Sequence, residues 1–341
     1  MIAARGGPNF FELDAAASAQ NSPYLIFTAD GPFPKEIDDG INVEPLPSAT
    51  EAYRVRICIA DTSSAYYRDE VVKHAQTLVE ARYLTPQGSE GYTPLLPEPF
   101  IKQRELKAGQ TKSALVISYI VGENCPPTDV DVQFGNVEIA HNYTYRRFGS
   151  KCRFSPEKQP IARAASLTRA QLGVGWNSAS VLEEMHSGSF CESSSTKLRD
   201  GERITSTFMV GGCHLVGRWL KERDLLAIYR IHDPSDTTLA EFIDTSVARF
   251  SQSPGRHVSL GLEPYCRVTS PLRRLEDFVM NGLLKVYAAG DRNVGTRDER
   301  VVLETVRALN QRIASAQRDS RKRQTTAWLA HAIAKNSSSA A

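Results

Sequence analysis

The chain has 341 residues, of which 41% are hydrophobic and 23% are charged, so it is long enough to bury one large core or two ordinary ones. Its formal net charge of +2 is too small to identify a nucleic-acid-binding protein. The six cysteines form no CxxC pair, the N-terminus lacks the apolar segment of a signal peptide, and no apolar run is long enough to cross a bilayer. We therefore expect a soluble, cytoplasmic protein with reduced thiols and no membrane partner.

The first half of the chain predicts strands. Residues 1–24 read as an irregular lead-in, and residues 53–61 alternate apolar and polar side chains, which is the period of a half-buried strand. A short helix is predicted over 69–82 and a loop over 84–97, because that loop is rich in proline and glycine. The segments SALVISYIV and VDVQFGNVEIA then predict two successive strands that pair in antiparallel fashion.

The second half of the chain predicts helices. From about residue 160, apolar residues recur three or four positions apart, and the last such stretch predicts a long helix over 297–334. Neither a repeat nor a clear linker interrupts the chain between 25 and 334. The sequence therefore predicts one α+β domain over 25–334, followed by a disordered tail over 335–341.

Four carboxylates crowd into the segment FTADGPFPKEIDDG, residues 27–40: Asp30, Glu36, Asp38 and Asp39. Prolines and glycines exclude a helix there, and the carboxylates repel one another at neutral pH unless solvent, raised pKa values or a cation intervene. A solvated acidic loop is the plain alternative. If a cation is bound, oxygen ligands without histidine or cysteine favour Mg²⁺, or alternatively Mn²⁺, over zinc.

The spacing of this segment resembles the metal-binding signature of the ribonuclease II family. Thr28-Ala29-Asp30, five residues and then Glu36-Ile37-Asp38-Asp39 is similar to the T-I-D and D-x-D-D pattern of its catalytic RNB domain. Further family-like segments follow in order: RICIADTSSAY, AQTLVEARYLTP, ELKAGQTKSAL, NYTYRRF, IYRIHDP and YCRVTSPLRRLEDF. The last is the most specific of them, and the ordered series makes a chance resemblance very improbable.

The resemblance implies a fold, an activity and a set of site residues. The fold is a mainly antiparallel β-sheet packed against helices, with a long C-terminal helix, and the activity is Mg²⁺-dependent 3′–5′ hydrolysis of single-stranded RNA to nucleoside 5′-monophosphates. The metal ligands would be Asp30, Glu36, Asp38 and Asp39, with Asp38 also catalytic. Arg273 matches the family's catalytic arginine, whose alternative role is a salt bridge to the acidic segment.

The resemblance also implies RNA contacts. Tyr83 matches a tyrosine that stacks on the 3′-terminal bases, and Tyr145 one that lies near the terminal ribose; a core tyrosine is the alternative for each. Arg274 is expected either to hold the RNA backbone or to be structural. His232, in IYRIHDP, is expected to be a structural histidine that holds a turn.

Several positions depart from the family pattern, and these keep a second hypothesis open. Glu36 stands where the family has aspartate, Thr207 stands where a glutamate helps to recognise the ribose, and Gln317 replaces another glutamate. Cold-shock and S1 domains are missing from the sequence, which predicts a stand-alone catalytic domain that is weakly processive and depends on short substrates or a separate RNA-binding subunit. The alternative is a catalytically degenerate member that binds RNA or a protein partner.

Overall fold

The computed structural model of the protein describes residues 23–47, 51–83, 91–172, 200–232 and 248–338, with side chains of the last helix described as far as 319. The predicted N-terminal lead-in lies outside the described residues as far as residue 22. Tyr24, the last residue of the predicted lead-in, is the first residue of a strand. Among the described residues, no helix combines the length and apolar character needed to cross a membrane.

Five strands form a sheet that closes on itself in the order β1-β2-β3-β6-β7. Adjacent pairs are antiparallel except β1 and β7, which pair in parallel and close the sheet. The predicted mainly antiparallel sheet is confirmed. The strands are β1 (Tyr24–Asp30), β2 (Asp39–Pro45), β3 (Ala52–Ala60), β4 (Arg82–Tyr83), β5 (Tyr92–Thr93), β6 (Thr111–Gly122), β7 (Cys125–Thr144), β8 (Tyr229–Ile231) and β9 (Arg249–Ser251).

The predicted helices are present, with small differences at their ends. The described helices are α1 (Ser63–Tyr66), α2 (Asp69–Leu78), α3 (Glu98–Arg104), α4 (Tyr145–Phe154), α5 (Gln159–Gln171), α6 (Asp200–Glu222), α7 (Leu275–Ala288) and α8 (Thr296–Ser338). Helix α2 ends four residues before the predicted boundary at 82, because the chain there turns to pair with the segment before α7. Helix α8 passes the predicted end at 334, where the disordered tail was expected to begin, and continues to Ser338.

Helix α7 is the central helix of the fold. Its side chains are buried on nearly every face, as expected of a helix that packs on all sides, and it contacts α1, β7 and α8. At Gly282 the helix touches α1 so closely that a Cβ would lie 2.2 Å from the Tyr66 ring. The burial of α7 fixes the position of the turn that precedes it, and this turn carries Arg273.

Candidate active site

The acidic segment connects two paired strands. Asp30 is the last residue of β1 and Asp39 the first of β2, and Phe27 of β1 pairs with Ile41 of β2. Asp39 also lies opposite Ile59 near the end of β3. Because antiparallel pairing brings the end of one strand to the start of the next, the carboxylates that are nine residues apart in sequence share one edge of the closed sheet. The predicted loop is therefore held firmly at both of its ends.

Asp38 is the most tightly held of the four carboxylates. Its side chain is buried; Oδ1 accepts a hydrogen bond from the Leu272 N–H (2.8 Å) and Oδ2 accepts one from Arg273 Nε (3.3 Å). Its main-chain oxygen accepts a hydrogen bond from the Ala60 N–H (2.8 Å). The structure thus joins two motifs 234 residues apart in sequence, the acidic segment and the turn before α7.

The carboxylates repel one another and are poorly solvated. Burial raises the pKa of Asp30 and of Asp38 to about 7, and in both cases the Arg273 guanidinium offsets only part of that effect. The pKa of Asp39 is raised well above its ordinary value by burial and then by the negative charges of Asp30 and Asp38. One arginine therefore does not neutralise this cluster, and the site favours an additional cation.

The donor set fits a magnesium-type ion that is completed by substrate and water. Across the described residues, no group of three or more His, Cys, Asp or Glu side chains forms a complete ligand cage. Mg²⁺, however, is commonly held by one or two carboxylates, with water and substrate phosphate supplying its other ligands. Asp30 Oδ2 is buried without a hydrogen-bond partner, and it belongs to the same charge cluster as Asp39 and Asp38. Asp30 and Asp39, supported by Asp38, therefore fit such an ion.

Glu36 lies differently from the other predicted metal ligands. It is buried, and its Oε1 accepts a hydrogen bond from the Tyr92 hydroxyl of β5. Its negative charge contributes to raising the pKa of Asp38, so it lies close to the cluster. The structure therefore places Glu36 at the site but engages one of its oxygens with a tyrosine, and its role as a metal ligand stays a prediction.

Two adjacent arginines have different environments. Arg273 is 23% exposed, and besides Asp38 it contacts the Ser270 hydroxyl (3.1 Å). Arg274 is only 5% exposed; its guanidinium donates to Asp277 (2.8 Å) and to the Thr269 hydroxyl (3.2 Å). The RNA-backbone contact predicted for Arg274 is not supported by this environment, because the side chain is directed into the protein. Its structural alternative fits the geometry.

Tyr145 lies beside the acidic cluster. Asp30 pairs with Thr144 across β1 and β7, and Thr144 caps α4, so that Tyr145 is the first residue of that helix. A Cβ at Gly201 would lie 1.9 Å from the main-chain oxygen of Tyr145, so only glycine allows α6 to approach α4 so closely. The Tyr145 pKa is raised by burial and then by the negative charges of Asp30 and Asp39.

Tyr83 is placed only through its main chain. It belongs to β4 and pairs with Tyr92 of β5, the residue whose hydroxyl contacts Glu36. The Ala81 N–H donates to the Arg273 oxygen (2.9 Å), so the chain that leads into β4 runs beside the Arg273 turn. The Tyr83 side chain lies outside the described residues, and its predicted stacking role stays a prediction.

Two adjoining cavities, of about 430 and 470 Å³, open between α4, α5 and α6. Tyr145 lines the second cavity, and Gly149, Arg153 and Asp200 line both. Four arginines line the two cavities together, against the single aspartate: Arg146, Arg153, Arg169 and Arg203. The two cavities together form a basic recess that extends from Tyr145 along α4, α5 and α6.

The model of one protein family, the RNB domain, matches residues 20–247 of this chain. The chain belongs to the RNB domain family. The predicted resemblance to ribonuclease II is confirmed at the level of the family. The match ends before the Ser270–Arg274 turn, so the role of Arg273 depends on the geometry above and on the sequence motif.

Curated relatives of this RNB domain include ribonucleases. The chain is 24% identical over 289 residues to an uncharacterized ribonuclease of Synechocystis sp., an alignment that covers 78% of this chain and 43% of that protein. It is 37% identical over 70 residues to exoribonuclease 2 of Erwinia tasmaniensis, covering 19% of this chain and 11% of the relative. The chain thus spans less than half the length of these curated relatives.

Solved structures confirm the fold. RNase R of Mycoplasma genitalium, in complex with ribose-methylated single-stranded RNA, matches with a TM-score of 0.70 at 16% identity, covering 94% of this chain and 60% of that one. Yeast Ssd1, described as a pseudonuclease, matches with a TM-score of 0.67 at 14% identity, covering 84% of this chain and 42% of that one. The RNB fold is therefore shared by a nuclease and a pseudonuclease.

One departure noted in the sequence lies inside a helix of this RNB domain. Thr207 Oγ1 donates to the Arg203 main-chain oxygen (2.7 Å) one turn earlier in α6. His232 is buried and its Nδ1 accepts a hydrogen bond from the Val258 N–H (3.1 Å), in agreement with the expected structural role. Thr207 borders one of the two cavities.

Two residues near the acidic segment have roles that the sequence pattern does not predict. Tyr92, in the segment predicted to be a loop, contacts Glu36. The carboxylate of Asp61, in RICIADTSSAY, accepts from Ser63 and Ser113 and lies 3.3 Å from Lys285 Nζ. A buried-strand pattern that ends in Asp-Thr-Ser is the only signal of this site, and it does not reveal a partner more than 200 residues away.

Proposed function

We propose that this RNB domain is a metal-dependent 3′–5′ exoribonuclease that hydrolyses single-stranded RNA to nucleoside 5′-monophosphates, with Mg²⁺ preferred and Mn²⁺ as the alternative ion. The observation that carries the proposal is the joint placement of Asp38 and Arg273 beside the under-neutralised carboxylates Asp30 and Asp39. Phosphodiester hydrolysis needs positive charge at the phosphate and an activated water. This site supplies one arginine and a carboxylate set that attracts a cation.

The residues divide this work between them. Asp30 and Asp39, with Asp38, would hold the ion, which when bound supplies Lewis-acid stabilisation of the phosphate and a water of lowered pKa. Asp38 also orients Arg273 through Nε, and the partly exposed guanidinium is positioned to donate to a phosphate oxygen as negative charge develops. Buried carboxylates with raised pKa values are typical of functional sites, where the groups serve the chemistry rather than the stability of the fold.

RNA recognition is proposed to begin at Tyr145 and to continue along the basic cavities. Tyr145 lies beside the carboxylates, where the 3′-terminal ribose would be, and arginines suit the phosphates of the preceding nucleotides. Tyr83 remains the proposed stacking residue. Weak processivity, with a dependence on short substrates or on a separate RNA-binding subunit, is part of the same proposal.

A catalytically degenerate RNB protein is the second candidate. Two observations favour it: Glu36 is engaged by Tyr92, and the described residues contain no complete ligand cage. The structural likeness to a pseudonuclease shows that the fold alone does not decide between the two. Such a protein would bind RNA or a partner through the same recess without releasing nucleotides.

The deciding experiment incubates 5′-labelled single-stranded RNA and a matched DNA with the purified protein in Mg²⁺, in Mn²⁺ and in EDTA. Asp38→Asn is the test variant, and Asp129→Asn is its matched control, because Asp129 is an exposed carboxylate near the opposite end of β7, 3.3 Å from the Arg54 guanidinium. We expect a ladder that shortens from the 3′ end, is lost in EDTA and with Asp38→Asn, and is unchanged with Asp129→Asn.

Other outcomes separate the two candidates. RNA binding by a folded protein without products in either ion would replace the exonuclease with the degenerate RNB protein. Shortening of the DNA as well as the RNA would keep the exonuclease and show that Thr207 has relaxed the choice of sugar.

A further inference from the structure

One face of helix α7 carries a stripe of buried polar side chains outside the acidic cluster. Asp277, Asn281 and Lys285 follow one another at intervals of four residues, which places them one above the other on the helix surface. All three are buried, with 0%, 0% and 6% exposure. Buried polar residues of this kind persist where they hold specific groups, so their partners indicate what the stripe does.

The first residue of the stripe holds the turn that carries Arg273. Asp277 Oδ1 accepts from the Ser270 N–H (2.8 Å) and from the Arg274 guanidinium (2.8 Å). The main-chain oxygen of Ser270 in turn accepts hydrogen bonds from the main-chain N–H groups of Arg273 and Arg274 (3.2 and 3.0 Å). This folded turn presents the Leu272 N–H and the Arg273 side chain to the two carboxylate oxygens of Asp38.

The other two residues hold the end of β3. Asn281 Nδ2 donates to the Ala60 oxygen (3.2 Å) and its Oδ1 accepts from the Thr62 N–H (3.0 Å), so the amide spans the residue between them. That residue is Asp61, whose carboxylate lies 3.3 Å from Lys285 Nζ. The Ala60 N–H donates to the main-chain oxygen of Asp38 (2.8 Å).

Asp38 is therefore held from two sides by one helix. The turn before α7, which Asp277 holds, donates hydrogen bonds to the Asp38 carboxylate. Asn281 is bonded to Ala60, whose N–H donates to the main-chain oxygen of Asp38. We propose that Asn281 is a positioning residue for the reaction, which sets the distance between Asp38 and Arg273 by fixing the end of β3 against the same helix that carries the Arg273 turn. The inference rests on the proposed nuclease function, because it assigns a residue that acts on that site without touching RNA.

The test compares Asn281→Ala with a matched asparagine elsewhere. Asn310 of α8 spans the Phe250 peptide in the same manner, accepting from its N–H (2.9 Å) and donating to its oxygen (2.9 Å), on strand β9 and without a link to Asp38. For both variants we would measure the melting temperature, RNA affinity by fluorescence anisotropy in EDTA, and kcat and KM with a short 5′-labelled oligoadenylate. Ser113→Ala removes one hydrogen bond to Asp61 (2.7 Å) and serves as a milder second variant should Asn281→Ala fail to fold.

We expect Asn281→Ala to lower kcat by roughly 10- to 100-fold, because small misplacements of catalytic groups cost that much, with KM and the RNA affinity within about twofold of wild type. Asn310→Ala should lower the melting temperature without changing kcat, and Ser113→Ala should lower kcat by a few fold. Equal kcat values for wild type, Asn281→Ala and Ser113→Ala would overturn the inference and leave the nuclease function standing. A wild-type protein that releases no nucleotide in Mg²⁺ or Mn²⁺ would overturn both.

Discussion

The two carboxylates Asp38 and Asp61 lie at adjoining strand ends, are buried to a similar degree, and have opposite electrostatics. Asp61 is 1% exposed, yet its pKa is lowered: burial alone would raise it, but the Lys285 charge and hydrogen bonds from Ser63 and Ser113 outweigh burial. Asp38 is 3% exposed and its pKa is raised to about 7, because Arg273 offsets burial only in part and Glu36 adds a like charge.

The difference separates a structural site from a functional one. A buried carboxylate that is paired with a cation and whose oxygens accept hydrogen bonds holds two parts of a chain together. A buried carboxylate whose charge is only partly compensated lowers the stability of the fold, and such groups are typical of functional sites. The same contrast recurs in the arginines: Arg274 is buried and donates to Asp277 and Thr269, whereas Arg273 is partly exposed. Each of the following experiments tests one side of this contrast.

The largest expected effect is that of Arg273→Lys. Lysine keeps the charge but loses the planar fork that contacts Asp38 and a phosphate together, so kcat should fall by roughly 10²- to 10³-fold with little change in the free energy of unfolding. The measurement is nucleotide release in Mg²⁺ together with urea denaturation. Arg274→Lys is the matched neighbour, and it should lower the free energy of unfolding while leaving the RNA affinity of the folded protein unchanged. A loss of RNA affinity with Arg274→Lys alone would restore the RNA contact first expected for that residue.

Next in size is the effect of Asp61→Asn on stability. The substitution leaves the Lys285 ammonium buried against a neutral amide, and removal of one partner of a buried ion pair costs about 3 kcal/mol of unfolding free energy. Urea denaturation measures it. Asp39→Asn provides the contrast, because it removes a charge that is repelled by Asp30 and Asp38, and it should leave the free energy of unfolding unchanged or higher. If the two variants were equally destabilised, the two carboxylate environments would not differ as described.

Much of this fold follows from local sequence patterns, whereas the site depends on distant contacts. The alternation in β3 and the helical period of α7 predict those elements, because each is set by side chains within a few residues. The motif resemblance also predicts that Asp30, Asp38 and Arg273 belong to one site. Nothing local shows that Arg274 is directed inward to Asp277, that Tyr92 reaches Glu36, or that Asn281 spans Asp61. These contacts are set by how α7 packs against the ends of the strands.

The acidic cluster should also make the stability of the metal-free protein depend on pH. The pKa values of Asp30 and Asp38 are raised from 3.8 to about 7, so their contribution to stability is fully present below about pH 4 and is lost as the pH rises through about 7. In EDTA, the free energy of unfolding should fall by roughly 2 to 3 kcal/mol for each of these two carboxylates between about pH 5 and pH 8. Asp38→Asn should show a smaller fall, and saturating Mg²⁺ should reduce it by compensating the same charges. A flat profile in EDTA would mean that the pKa values of these carboxylates are not raised, because other groups of the free protein already compensate their charges.

The smallest expected effect, that of Tyr92→Phe, is the one that distinguishes an active site from a degenerate one at Glu36. The substitution removes the hydroxyl that donates to Glu36 and keeps the ring, so its consequence depends on what Glu36 does. If the hydrogen bond orients a working carboxylate, kcat should fall by about 2- to 10-fold, the value of one hydrogen bond. If Tyr92 instead withholds Glu36 from the ion, kcat should rise and less Mg²⁺ should be needed for half-maximal activity. Tyr53→Phe is the matched control, because the Tyr53 hydroxyl donates to Glu51 (2.5 Å) away from the acidic segment, and it should leave both quantities unchanged.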